Sequence, residues 1–226
     1  MITYQVYRDM LEKGNILIAG SAGSGKSTLI DALIYTACLD GSGNDIAPIF
    51  YLIDPKRIDM RKYRNMRIVA RRTTENEDSV ILLQDVIDIM EKRYKEMEKA
   101  DTDFYNGRPI YVVIDEMADL VLTNKQVSPL IQRIAQLGRA ANIRIIMATQ
   151  TVLASIITTP IRNNFRVQVC LRTAMASQSR VVLGTAGAER LPDCGFGIVM
   201  FPQTVKTYQL PMIPKDDLQT LIKHFE

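Results

Sequence analysis

The chain has 226 residues, 47% of them hydrophobic and 23% charged, with a net charge of +3. This composition can bury one sizeable core and excludes a disordered or fibrous chain. Three scattered cysteines with no CxxC, and the single histidine His224, exclude a zinc framework and a disulfide scaffold, so the cysteines read as small core residues in a reducing compartment.

Residues 1–13 mix Tyr4, Val6, Tyr7, Met10 and Leu11 with charges and predict a short amphipathic lead-in helix. The start lacks a signal-peptide pattern and no apolar run approaches a membrane span. The expectation is a cytoplasmic protein that reaches a membrane only through a partner. Residues 15–19, Asn-Ile-Leu-Ile-Ala, read as a buried strand. The next eight, Gly20, Ser21, Ala22, Gly23, Ser24, Gly25, Lys26 and Ser27, fit G-x-x-x-x-G-K-[ST], the phosphate-binding P-loop. Glycines there let backbone N–H groups turn inward around phosphate oxygens. Lys26 is expected to reach the β- and γ-phosphates of ATP and Ser27 to bind Mg²⁺. Thr28 opens a helix over 28–34 whose positive N-terminal end faces the anion.

Residues 40–45 predict a turn-rich loop, 49–53 a second buried strand ending at Asp54-Pro55-Lys56, and 66–70 a short strand. Arg57, Arg61, Lys62 and Arg64 form a basic cluster between them. Val80, Leu83, Ile87, Met90, Tyr94 and Met97 recur at helical steps within a long helix over 77–99. Further strands are predicted over 110–114, 143–149 and 165–171, and helices over 128–141 and 177–183. A terminal hairpin, 195–201 with 204–209, and a closing helix over 215–225 complete the chain. Unbroken apolar strands alternating with helices imply one α/β domain over 1–226, with a mainly parallel sheet covered by helices on both faces. Ligand chemistry then belongs at the C-terminal ends of the strands, where the P-loop, Asp54, Asp115 and Gln150 all fall.

The strand over 110–114 runs into Asp115 and Glu116. ATP hydrolysis needs one carboxylate in the Mg²⁺ shell, assigned to Asp115, and a second to polarise the attacking water, assigned to Glu116. Gln150, at the end of the next strand, is placed to sense the γ-phosphate.

With these residues in place, the pattern resembles the FtsK/SpoIIIE motor domain of the HerA–FtsK superfamily. The likeness rests on Ile53-Asp54-Pro55-Lys56, Met90-Glu91-Lys92-Arg93-Tyr94, Asp115-Glu116-Met117-Ala118-Asp119-Leu120, Arg139-Ala140-Ala141-Asn142-Ile143 with Ala148-Thr149-Gln150, and Gly187-Ala188-Glu189-Arg190-Leu191 with Gly195-Phe196-Gly197. Where the family has Arg-Pro after Ala-Thr-Gln, this chain has Thr151-Val152. The resemblance implies a RecA-like P-loop NTPase fold, a ring hexamer, ATP hydrolysis with Mg²⁺ and translocation of double-stranded DNA. It places a DNA-facing loop after the Asp115-Glu116 strand, with Lys125 as its contact. It also makes Arg166, at the opening of the strand after Ala-Thr-Gln, the arginine that reaches a neighbour's γ-phosphate, in competition with Arg139, Arg162 and Arg180. The short form resembles transfer proteins of mobile elements. A protein-secretion ATPase and a non-motor nucleotide-binding adaptor stay open as alternatives.

Overall fold

The computed structural model describes residues 4–41 and 47–226; most of the turn-rich loop expected over 40–45 lies outside them. One eight-stranded sheet forms the centre. Its strands are β1 (Ile16–Ala19), β2 (Ile49–Ile53), β3 (Val69–Thr73), β4 (Ile110–Ile114), β5 (Ile143–Thr149), β6 (Val167–Leu171), β7 (Phe196–Phe201) and β8 (Thr204–Gln209), in the order β3-β2-β4-β5-β1-β6-β7-β8. The six strands from β3 to β6 pair in parallel, and the hairpin β7–β8 adds two antiparallel strands. The expected mainly parallel α/β sheet is therefore borne out.

Strand periodicity decides which residues meet which helices. Leu17 and Ala19 of β1 face one side of the sheet; Ile16 and Ile18 face the other. The first side packs against α3 (Asn76–Lys99), α4 (Met117–Thr123), α5 (Val127–Leu137), α6 (Thr159–Asn164) and α7 (Ala176–Leu183). The second packs against α1 (Gln5–Lys13), α2 (Lys26–Gly41) and α8 (Lys215–Phe225). Apolar residues on both faces are required because both are removed from water, at roughly 1.5–3 kcal/mol for each fully buried large aliphatic side chain. The two sheet edges carry the charge that discourages pairing with another chain: Arg71 and Arg72 on β3, Lys206 on β8.

The long helix is tied down by its polar residues as well as its apolar stripe. Arg93 is buried and donates from Nη1 to the Ala141 carbonyl at 2.7 Å and from Nη2 to the Arg108 carbonyl at 2.8 Å, with its guanidinium 4.3 Å from the Tyr105 ring centroid. Tyr94 Oη donates to the Leu137 carbonyl at 2.7 Å. The Met90–Tyr94 block is thus a structural clamp between α3, the end of α5 and the strand entering β4.

Several boundaries differ from expectation. The third strand is Val69–Thr73 rather than 66–70, and β6 begins at Val167, which leaves Arg166 just before it. The helix over 128–141 stops at Leu137, where Gly138 turns the chain into β5. Two short helices, α4 and α6, stand where no helix was expected. Both are too short to show an amphipathic period.

Candidate active site

The helix after β1 leaves toward one face of the sheet, and those after β4 and β5 leave toward the other. Adjacent strand tips whose connections diverge leave a crevice between them, the place where open α/β sheets bind ligands. The P-loop borders this crevice. Its backbone needs glycine at two kinds of position. Gly25 has φ 101°, in the left-handed half that L side chains avoid, and a Cβ on Gly20 would lie 2.9 Å from Leu171 Cβ. The loop hangs on the neighbouring strand through the Ser21 N–H, which donates to the Arg172 carbonyl at 2.9 Å, and Leu29 N–H to Gly25 O at 2.9 Å opens the helical ladder.

Lys26 begins α2 and is 6% exposed. Its Nζ donates to the Gly20 and Ser21 carbonyls, each at 2.7 Å. Burial pulls its pKa down to about 8; Lys56 acts in the same direction, while Glu116, Asp115 and Asp59 oppose it. Ser27 is half-buried and Thr28 exposed on the first turn of α2. Asp115 and Glu116 leave β4 as expected, buried at 4% and 2% exposure. Burial, together with Asp59, Asp54 and Glu116, raises the Asp115 carboxyl to about 6 against the pull of Lys56. Its Oδ2 is buried without a hydrogen-bond partner. A buried acceptor with no donor, in a concentration of negative charge, fits a cation ligand. Among the described residues no group of three or more His, Cys, Asp or Glu side chains is arranged to hold a metal by itself. Asp115 Oδ2 and the Ser27 hydroxyl are the oxygen donors this chain would offer a hard divalent cation such as Mg²⁺.

Glu116 is held differently. Oε1 accepts from Thr149 Oγ1 at 2.6 Å and from the Gln150 N–H at 3.1 Å. Oε2 accepts from the same N–H at 3.0 Å and from Lys56 Nζ at 3.1 Å. The tips of β2, β4 and β5 therefore converge on one carboxylate. Gln150, expected to act through its side chain, engages Glu116 through its backbone. Thr149 and Lys56 are partners that sequence reasoning did not single out, although both lie in blocks that carry the family likeness. Asp54 is a fully buried structural carboxylate, accepting from Arg72 Nη2 at 2.8 Å and the Met60 N–H at 3.2 Å.

Beside the P-loop a recess of about 380 Å³ is lined by Tyr7, Leu29, Leu171, Cys194, Leu210 and Met212 with Gly23 and Thr28. Its size and apolar walls suit a nucleobase. The C-terminal segment walls it through the Tyr7 hydroxyl, which donates to the Pro211 carbonyl at 2.5 Å. Nothing in the local sequence pattern announces this recess.

Two expected residues lie outside the crevice. Lys125 does not follow the strand directly: α4 intervenes, and Lys125 is exposed in the turn between α4 and α5. That turn stays at the same edge of the sheet, because Asn76 at the start of α3 donates to Thr123 Oγ1 at 2.8 Å. Arg166 is exposed at the opposite edge. Val167 pairs with Ile16 and Cys170 with Ala19, so Arg166 stands four residues, about 13 Å, from the strand tips that carry this chain's own P-loop. It shares a recess with Lys13 and Arg139. In the basic cluster, Arg57 pairs with Glu75 and Lys62 with Asp31, while Arg61 and Arg64 are exposed.

A family model for the FtsK/SpoIIIE family matches residues 1–107, which contain the P-loop, β2 and most of α3. The comparisons support an FtsK/SpoIIIE-type motor domain. It is 31% identical over 201 residues to the DNA translocase FtsK of Staphylococcus aureus, covering 80% of this chain and 25% of that protein. It is 31% identical over 237 residues to FtsK of Rickettsia prowazekii, covering 85% and 31%. The motor domain thus spans about a quarter to a third of the curated relatives it matches. Among solved structures, the pCW3 conjugation coupling protein TcpA in its monomer form with ATPgS superposes with a TM-score of 0.83 at 24% identity, covering 96% of this chain and 66% of that one. EssC (ATPases 2 and 3) from Geobacillus thermodenitrificans gives 0.80 at 20%, covering 95% and 44%. These likenesses establish the RecA-like P-loop ATPase fold for this motor domain. No helix among the described residues is long and apolar enough to cross a membrane.

Proposed function

We propose that the chain hydrolyses ATP with Mg²⁺ and uses the energy to drive double-stranded DNA through a homo-hexameric ring, as a short motor of the kind carried by mobile elements. The observation that carries the reading is the convergence of the P-loop, Asp115 and Glu116 at the crevice between β1 and β4–β5. The P-loop amides and Lys26 bind the phosphates, and the apolar recess receives the base. Ser27 and Asp115 would hold Mg²⁺, which neutralises charge across the phosphates when bound. Glu116 accepts a proton from the attacking water as its oxygen bonds to the γ-phosphorus. The bond from that phosphorus to the bridging oxygen breaks, and ADP and phosphate result. Arg166, on the far edge from its own P-loop, acts in this reading on a neighbouring subunit's γ-phosphate.

Lys125 and other exposed cations of the ring lumen contact DNA phosphates, which makes binding blind to sequence and steeply salt-dependent. The test is the ATPase rate with and without duplex DNA, at low and physiological salt. Strong stimulation that fades with salt supports a DNA motor. A DNA-blind ATPase moves the reading to protein secretion, and absence of turnover moves it to an adaptor.

A further inference from the structure

Both carboxylate oxygens of Glu116 are engaged. An ionised carboxylate offers about four acceptor positions, two on each oxygen. Here three donors reach them: Thr149 Oγ1 on Oε1, Lys56 Nζ on Oε2, and the single Gln150 N–H shared between the two. A general base must direct a lone pair at the water it activates. The position that Lys56 takes on Oε2 therefore has to be given up before Glu116 can direct that lone pair at water.

The three donors are not equally fixed. Thr149 is fully buried at the end of β5, and the Gln150 N–H belongs to the backbone that follows it. Lys56 sits on the connection after β2, with its side chain 30% exposed on a flexible four-carbon stem. Its partner Glu116 directly follows Asp115 at the tip of β4, in the crevice that the P-loop borders.

From this geometry we propose that Lys56 is a positioning residue that parks Glu116 until a γ-phosphate draws its ammonium away. The inference rests on the ATPase reading above. With no γ-phosphate in the crevice, Nζ stays on Oε2 and the base is blocked. A triphosphate presents a denser anion beside Lys26; Nζ crosses to it, and Oε2 is freed toward the attacking water. ADP offers no such anion, so the pair re-forms after phosphate leaves. The device would arm the base only when there is a bond to cleave.

The experiment compares ADP and ATPγS affinities, in Mg²⁺, for wild type, Lys56→Met, Glu116→Gln and the double variant, with far-UV circular dichroism and a thermal melt as fold controls. Lys56→Met should leave the ADP Kd within about twofold and weaken ATPγS about tenfold, because only the γ-phosphate contact is lost. Glu116→Gln replaces the carboxylate that holds Lys56, so ATPγS should bind several-fold more tightly and ADP should not change. In the double variant that gain should vanish. Lys56→Arg, which keeps the charge, should recover most of the ATPγS preference. Equal effects of Lys56→Met on ADP and ATPγS would overturn the proposal, as would a gain in Glu116→Gln that survives removal of Lys56. If wild type binds neither nucleotide, the ATPase reading itself fails and takes this inference with it.

Discussion

Lys26 should cost the nucleotide-free protein stability. Burial lowers its pKa from 10.5 to about 8 although two carbonyls accept from its Nζ. That difference corresponds to about 3 kcal/mol between the charged and neutral forms. The sign follows from proton counts. Between pH 8 and 10.5 the unfolded chain holds the lysine proton more tightly than the native one, so stability rises with pH across that window. Below pH 8 the penalty is present in full.

Lys26→Met removes the buried charge and also the two carbonyl hydrogen bonds, worth roughly 1–2 kcal/mol net together. The variant should therefore be about 1–2 kcal/mol more stable than wild type at pH 7, or roughly 2–8 °C higher in Tm for a domain of this size. Urea denaturation at pH 7.0 and 9.5 measures it, and the advantage should shrink at the higher pH. Addition of Mg²⁺ and ATPγS should reverse the order by stabilising wild type alone. A variant less stable than wild type at pH 7, or an advantage that does not change with pH, would refute the argument that the P-loop lysine is held against its own desolvation.

Glu116→Gln should stall hydrolysis by at least a hundredfold in single-turnover assays while nucleotide still binds. Exchange of charge-assisted for neutral hydrogen bonds at Thr149, Gln150 and Lys56 should lower its melting temperature by a few degrees. Arg93→Met removes bonds to two carbonyls at 2.7 and 2.8 Å and the stacking on Tyr105, and should cost about 2–3 kcal/mol in equilibrium unfolding. Arg93→Lys should recover little, because a single ammonium cannot bridge both and stack on Tyr105. If Arg166 acts on a neighbour, Arg166→Ala and Lys26→Ala should each be nearly inactive and regain turnover when mixed. Two variants that co-assemble and stay inactive would rule out that role. ATP affinity should also weaken as pH rises above 8, where the free Lys26 gives up its proton; isothermal titration in buffers of different ionisation enthalpy would detect the proton taken up.

The elements that the sequence determined are those whose signal is local. β2, β4, β5 and β8 lie where apolar or alternating runs of five to seven residues put them, and α8 follows its own amphipathic period. The P-loop was legible for the same reason: the backbone torsions and the lysine it needs are written into eight consecutive residues. Asp115 and Glu116 followed, because a buried strand that ends in two carboxylates is itself a local pattern. The tertiary structure decided what depends on neighbours far along the chain. Lys56 and Glu116 meet sixty residues apart only because β2 and β4 are adjacent in the sheet, and Thr149 joins them only because β5 lies beside β4. The apolar recess needs Tyr7 from α1 and Leu210 from the segment after β8 at the same edge. The seven residues of α4 and the six of α6 are stabilised by packing on the sheet, which a short helix requires and its own sequence cannot announce. Periodicity fixes which face of a strand is apolar, but the order of strands, and so the company each side chain keeps, is settled only when every face is buried at once.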